Sequence, residues 1–350
     1  MTVTEQPTST VAGPTKRQER FSLPSLGEAA SRFLSVIAFA LLCLFFSFAS
    51  PAFSRGSNVT SLLSASALLA IVAMAMTLVV RSGGIDLSVG IALDFGAMAS
   101  IALISQHYVP WVAVVGGLLA GLSVGAANAF FIVVLRVSPF LATLSTMFIG
   151  QSYQNVVTQG GSPTYLLPSQ NPAGFQVMGK GQAFGLDVPI MFAGCVLVVG
   201  WFVLERFILG RTITAIGIQT PVARIAGIRV KAVTASVYML SATTCALAGI
   251  LLAARLGSFV PQSGAYYLLD SIGAVFIGTT LHKESLPNVP GTLVGVLIFG
   301  VLANGLNLVG LSFYWQGFAR GLVLLIVLGL SVVLAKRRRR PSRRVMAAAG

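Results

Sequence analysis

Charge is scarce in this chain. Of 350 residues only 9% are charged, and just 9 are Asp or Glu, against roughly a quarter charged residues in a soluble globular domain. That shortage excludes a folded body surrounded by water. Histidine is almost missing: His107 and His282 stand alone, in no triad or metal-ligand spacing, so acid–base and metal chemistry have little to work with. The three cysteines, Cys43, Cys195 and Cys245, lie in apolar runs without paired spacing. They suit packing rather than a disulfide framework or a zinc site. No cofactor or metal is expected, and no catalytic residue.

What remains is apolar, 55% of the chain. Stretches near the roughly 20 residues that span a bilayer occur at 33–53, 59–80, 89–105, 110–135, 139–158, 188–205, 232–254, 266–282, 289–311 and 314–335. The fold class predicted is all-α: a polytopic membrane helix bundle of about ten transmembrane helices. Pro110 and Pro139 fall in the first turns of their spans, where a missing N–H is harmless, and Pro51 closes the first span.

Basic residues fix the orientation. With both termini cytoplasmic, nineteen Lys and Arg lie on the inner side, including Arg81, Arg136, Arg224, Lys231 and Lys283. Only Arg55, Lys180 and Arg255 lie outside, and Arg320 falls within a span. Residues 1–31 read as a disordered cytoplasmic arm, 32–335 as the transmembrane domain, and 336–350 as a basic cytoplasmic tail. The net charge of +14 is concentrated in that tail, directly after the last span. Topological anchoring and contact with anionic membrane lipid explain it, without nucleic acid.

Two excursions interrupt the bundle. Residues 159–187, rich in Gly and Pro, are expected to form an irregular outer cap. Residues 206–231 form the longest inner connection, ending in a short amphipathic segment closed by Gly227 as a helix C-terminus. Small residues four apart, at Gly117, Gly121 and Gly125, at Gly291 and Gly295, and at Gly317 and Gly321, let helices approach closely. Packing within the chain and a seam between two copies both fit them.

The most informative motif is Gly83-Gly84-Ile85-Asp86-Leu87-Ser88-Val89-Gly90. Two glycines and a carboxylate between apolar runs break a helix where lipid offers no hydrogen bonds, so protein or water must shelter the break. Asp86 is placed either to cap the following helix through the N–H of Ser88 or Val89, or to line a path. Asp94, eight residues on, is expected on roughly the same helix face, as packing or gate. Asp270 and Arg320 are further charges in or beside spans. They could pair, while Arg320 could equally snorkel outward. Two look-alikes carry nothing. Gly174 to Gly181 nearly spells a P-loop but has Gly181 where Ser or Thr is needed, and no flanking strand or helix is expected. Gly121 to Gly125 has the spacing of a nucleophile elbow inside an apolar helix.

The Gly-Gly-Ile-Asp-Leu-Ser stretch resembles the permease subunits of bacterial ABC importers for sugars, the ribose, xylose, arabinose and autoinducer-2 group. So do Ser138 to Leu144, residues 210–228, Ala248 to Leu256, Asp270 to Val275, Gly291 to Gly295 and Asn304 to Leu308, together covering about residues 60–335. The resemblance implies a bacterial plasma-membrane importer of two permeases, homo- or heterodimeric, driven by a cytoplasmic ATP-binding subunit and fed by an extracytoplasmic solute-binding protein. It places ATPase coupling at Gly217, Gln219, Thr220, Pro221, Ala223, Arg224 and Gly227. The Gln219-Thr220-Pro221-Val222 stretch departs from the usual Asn-Glu-Ala-Ala type, and Pro221 is expected to begin the short helix. His282 to Asn288 departs from a glycine-rich turn.

Pathway or gating candidates are Gly83, Gly84, Asp86, Ser88, Asp94, Asp270, Asn304, Asn307, Trp315 and Gln316. For the last four, stacking and amide hydrogen bonds suit a sugar, while interfacial anchoring of Trp315 and helix-to-helix bonding of the asparagines are the plainer readings. The competing function is an ion-coupled secondary transporter using Asp86, Asp94 and Asp270.

Overall fold

The computed structural model describes residues 34–282, 284–312, 315–323, 325, 326 and 329. The N-terminal arm and the basic tail lie outside the described residues, as do Lys283 and most of 324–335.

Helices dominate in the expected order: α1 (Leu34–Ala49), α2 (Gly56–Arg81), α3 (Val89–Ser105), α4 (Pro110–Ala129), α5 (Pro139–Val157), α6 (Ala173–Lys180), α7 (Val188–Glu205), α8 (Ile208–Ile225), α9 (Val230–Leu256), α10 (Ala265–Thr279) and α11 (Val289–Leu308). Residues 315–323 are helical as well. The protein is an all-α polytopic bundle. Among the described residues five helices are long and apolar enough to cross a membrane, α2, α4 with its continuation, α7, α9 and α11. Pro110, Pro139 and Pro189 each open a helix at its first turn. One turn of π-helix, Phe130–Val134, extends α4.

Strand is confined to two short antiparallel pairs: β1 (Thr164–Tyr165) with β4 (Ser258–Phe259), and β2 (Gln182–Ala183) with β3 (Leu186–Asp187). The outer excursion is therefore more ordered than its glycines and prolines suggest. It contains α6, with Phe175 wholly buried, so the P-loop look-alike is mostly helix and has no phosphate-cradling loop.

α2 runs through the middle of the bundle. Buried on all faces over residues 66–79 and largely apolar there, as an enclosed stretch must be, it packs Ile71, Val72, Ala73, Ala75 and Met76 in a core where it meets α7, α9, α10 and α11. Small residues set the closest approaches. Gly249 of α9 lies against the carbonyl of Leu93, Gly125 of α4 against Tyr238, and Gly295 of α11 against Ala274 of α10. The glycines at 117, 121, 125, 291 and 295 thus serve packing within the chain. A side chain at Gly317 or Gly321 would meet nothing.

Two interruptions give the bundle its character. α2 ends at Arg81, and residues 82–88 carry the chain to α3 without helix, with Gly83 in the left-handed region (φ 85°). At the other end α9 stops on Gly257 (φ 68°), and residues 257–264 turn back into the bundle, with Ser258 and Phe259 buried. α10 starts from there, and its 15 residues span only about 22 Å, short of the roughly 30 Å hydrocarbon core. The two segments meet where Gly90, one residue into α3, lies against the backbone of Gly264, just before α10. Irregular backbone at this depth is tolerated because it is enclosed by protein.

The unusual 282–288 connection is a joint. Asn288 caps α11 by accepting from the N–H of Gly291 (2.8 Å) and donates to the carbonyl of Gly278 (3.0 Å). Asn288→Ala is expected to destabilise the protein by about 1 to 2 kcal/mol, the usual loss for an N-cap. A thermal shift in detergent measures it, and an unchanged midpoint refutes the assignment.

Candidate functional site

At the inner end, the signature break is held by a chain of buried hydrogen bonds. Asp86 Oδ1 accepts from the N–H (2.8 Å) and the hydroxyl (2.6 Å) of Ser88. Asn128 of α4 donates to Ser88 Oγ (2.7 Å), and Thr146 of α5 donates to Asn128 Oδ1 (2.7 Å). Asp86, Ser88 and Asn128 are all fully buried. The bond expected from the Ser88 N–H to Asp86 is present, but it does not cap α3, which starts only at Val89 with Ser88 at its N-cap. Asp86 therefore precedes the helix and does not share a face with Asp94, because its turn onto Ser88 uses the residues that would have formed the first helical turn. Among the described residues, nothing hydrogen-bonds to the buried Asp86 Oδ2, Ser241 Oγ and Tyr238 hydroxyl.

Asn128→Leu removes the middle of this chain: Ser88 Oγ loses its donor, and Thr146 keeps only the Ala142 carbonyl as acceptor (3.1 Å). Each hydrogen bond lost costs about 0.5 to 1.5 kcal/mol. The variant is expected to lose several degrees of thermal midpoint, and an Asn128→Leu protein as stable as the parent contradicts the network.

Asp94 acts elsewhere. Its Oδ1 accepts from Ser263 Oγ (2.9 Å) and the N–H of Gly264 (2.8 Å), and Gln154 Oε1 accepts from the N–H of Gln262 (2.7 Å). Asp94 and Gln154 thus fasten the descending 257–264 segment to α3 and α5. Asp94 borders a cleft of about 20 Å³.

The residues expected to couple to an ATPase cluster beneath the break. α8 bends at Gln219 (φ −158°, ψ 90°), with Pro221 in the first turn of its second piece, because proline forbids the bond that a continuous helix would make there. Gly227, at φ 81°, closes that piece. Ala223 is buried, whereas Ile218, Val222 and Ile225 are exposed, Ile225 at 87%. Gly217 faces inward, against the carbonyl of Arg81, and the position of a Cβ on Gly83 lies 3.3 Å from Gly217 Cα.

Arg81 completes the junction. Buried at the end of α2, it donates to the carbonyl of Pro287 (2.7 Å) and to Thr214 Oγ1 (2.9 Å), and it meets Glu205 at 3.4 Å. Sequence reasoning counted Arg81 only as an inner charge and passed over Asn128 and Gln154. Polar residues within apolar spans were the signal available for both amides.

Two sizeable cavities lie at opposite ends of the bundle. The inner one, about 960 Å³, is bordered by Gly83, Gly84, Thr220, Arg224 and Tyr238. The outer one, about 480 Å³, brings together Asp270, Asn304, Asn307, Gln316 and Arg320 over an apolar floor that includes Phe299. Arg320 Nη1 and Asp270 Oδ2 form an ion pair at 3.2 Å, which settles the choice between pairing and snorkelling. Asn304 exchanges two hydrogen bonds with Asn58 of α2 (2.9 and 3.0 Å), and Gln316 donates to Asn307 Oδ1 (3.0 Å). Trp315 is exposed, packs edge-on to Phe318 with centroids 5.7 Å apart, and is outside the cavity lining. Among the described residues no group of three or more His, Cys, Asp or Glu is placed to hold a metal.

A polytopic bundle with charges buried beside cavities and a bent inner helix against its broken span is the architecture of a transport permease. The family model for the branched-chain amino acid transport system / permease component matches residues 58–328, and the chain belongs to that family. It is similar to the ribose import permease protein of Escherichia coli (strain K12), at 36% identity over 83% of this chain and 91% of that protein. It is also similar to the ribose import permease protein of Bacillus subtilis (strain 168), 35% identical over 88% and 94%. The xylose transport system permease protein of Escherichia coli (strain K12) is 27% identical over 87% and 92%. No solved structure matches.

Proposed function

We propose that this chain is the transmembrane permease subunit of an ABC importer in the bacterial inner membrane, translocating a sugar or sugar-like polar solute. Relatives named for ribose and xylose support the solute class. ATP is hydrolysed by a separate cytoplasmic ATP-binding subunit, a solute-binding protein delivers the cargo, and a second permease completes the channel. α8 docks on the ATP-binding subunit through its exposed Ile218, Val222, Arg224 and Ile225. When the ATPase pair closes, the bend at Gln219 moves and carries the 82–88 break with it, switching access between the two ends. Gly83, Gly84, Asp86 and Ser88 form the moving break, and Asp94 fastens the opposite segment.

The observation that carries this reading is the seat of Gly217 against Arg81 and Gly83. A residue of the inner segment touches the signature break with no side chain between, so displacement of one displaces the other. Ile225→Asp is expected to abolish co-purification with the ATP-binding subunit. Gly217→Val should retain co-purification and stop ATP-driven uptake in proteoliposomes. Uphill uptake by the purified chain without an ATPase would instead establish the ion-coupled alternative, which needs a titrating carboxylate. In the structure each candidate has a structural partner: Asp86 has Ser88, Asp94 has Gly264, and Asp270 has Arg320.

A further inference from the structure

We infer that the outer cavity of a single permease chain is itself a binding site for an uncharged, polyhydroxylated solute of pentose size, an inference that rests on the permease reading above. Its volume of about 480 Å³ falls within the roughly 300 to 1,000 Å³ of small-molecule sites. α2 contributes Ser66, α10 Asp270, α11 Asn304 and Asn307, and the last described helix Gln316 and Arg320. The charges cancel: among the described residues, the one carboxylate and the one guanidinium bordering the space form an ion pair with each other. A net ionic solute would break that pair and bury an uncompensated charge, so the cavity selects against anions and cations.

Its spare polar atoms select for hydroxyls. Asp270 is bound only through Oδ2, leaving Oδ1 as an acceptor to which nothing donates among the described residues. Asn307 uses its carbonyl to accept from Gln316, leaving its NH₂ to donate, and Gln316 keeps its own carbonyl to accept. A spare donor on Asn307 and spare acceptors on Asp270 and Gln316 thus belong to residues bordering one volume. A vicinal diol, whose hydroxyls each donate and accept, satisfies such a set, whereas the branched aliphatic side chain of an amino acid satisfies none of it. The apolar floor, with Phe299 and Tyr267, suits the C–H faces of a sugar ring.

The test is saturation-transfer NMR titration of the full-length permease in lipid nanodiscs with D-ribose, D-xylose and L-valine. Saturable binding of the two sugars, and none of valine, is expected. Asn307→Leu, at an exposed helix end, removes the spare amide. Ala303→Phe, on the cavity wall, fills the space without touching a polar group. Each is expected to weaken sugar binding at least about tenfold. Absent sugar binding, binding unchanged by both variants, or displacement of ribose by valine overturns the inference. ATP-driven uptake by the wild-type importer, assembled with its ATP-binding subunit and solute-binding protein, separates the two claims. Uptake without a titratable cavity removes this inference alone, whereas no ATP-driven uptake of either sugar removes the permease reading with it.

Discussion

Replacement of Gly249 by leucine is expected to unfold the bundle. A Cβ at this position collides with the carbonyl of Leu93 and lies 3.1 Å from the N–H nitrogen of Ala97. Both are backbone atoms of α3, so no rotamer change relieves the contact. The reciprocal contact leaves no slack either: a Cβ on Gly96 of α3 would stand 2.5 Å from the carbonyl of Ala246 in α9. α3 and α9 would have to separate, exposing the core around Leu93, Ala248 and Leu251. The loss should reach about 3 kcal/mol or more, the upper end for overpacked cores. Thermal unfolding and gel filtration in detergent measure it. Gly194→Leu in α7, where a Cβ meets nothing within 4 Å, is the matched control and should change stability by less than about 0.5 kcal/mol. Equal behaviour of the two variants would show that the α3–α9 contact does not limit the fold.

Arg81→Leu should uncouple the machine while leaving its subunits assembled. Arg81 ties the end of α2 to α8 through Thr214, to the loop before α11 through the Pro287 carbonyl, and to Glu205. Hydrogen bonds from a charged donor contribute about 1.5 to 3 kcal/mol each, and the one to Pro287 is buried. Losing one from a transport intermediate should slow turnover at least about tenfold, since each 1.36 kcal/mol is a factor of ten. The readout is ATP-driven uptake beside co-purification of the ATP-binding subunit, whose proposed docking residues on α8 are untouched. Arg81→Lys should recover only part, because an ammonium cannot reproduce the planar fork that reaches three partners. Wild-type uptake by Arg81→Leu would place the linkage elsewhere, with the Gly217 contact as the remaining route.

Much of the architecture was legible from local chemistry. Proline at first turns marked the starts of α4 and α5, glycine marked the end of α8, and apolar runs marked nine helices whose positions the structure bears out. The bond from Ser88 to Asp86 was readable because it joins residues two apart in sequence, although it does not cap α3. Asp94 was not, because its partners are Ser263 and Gly264, about 170 positions further on. The placement of Asp86 and Asp94 on one helix face failed for a related reason: the sequence shows that a helix is broken at Gly83-Gly84 but not how many residues pass before it resumes. The outer excursion looked irregular because Gly and Pro dominate it, yet burial of Phe175 brings α6 into the bundle.

By itself, the sequence determined that this protein lies in a membrane, that it is helical, and that one of its spans is broken, because insertion into lipid depends on the composition of contiguous segments. Only the tertiary structure decided that a second segment, 257–264, folds back to meet the first at Gly90 and Gly264, that Asp270 pairs with Arg320, and that Gly217 bears on the break. Those are contacts between residues far apart along the chain. They depend on which helix faces meet, and in this bundle that is set by where a glycine lets two backbones touch.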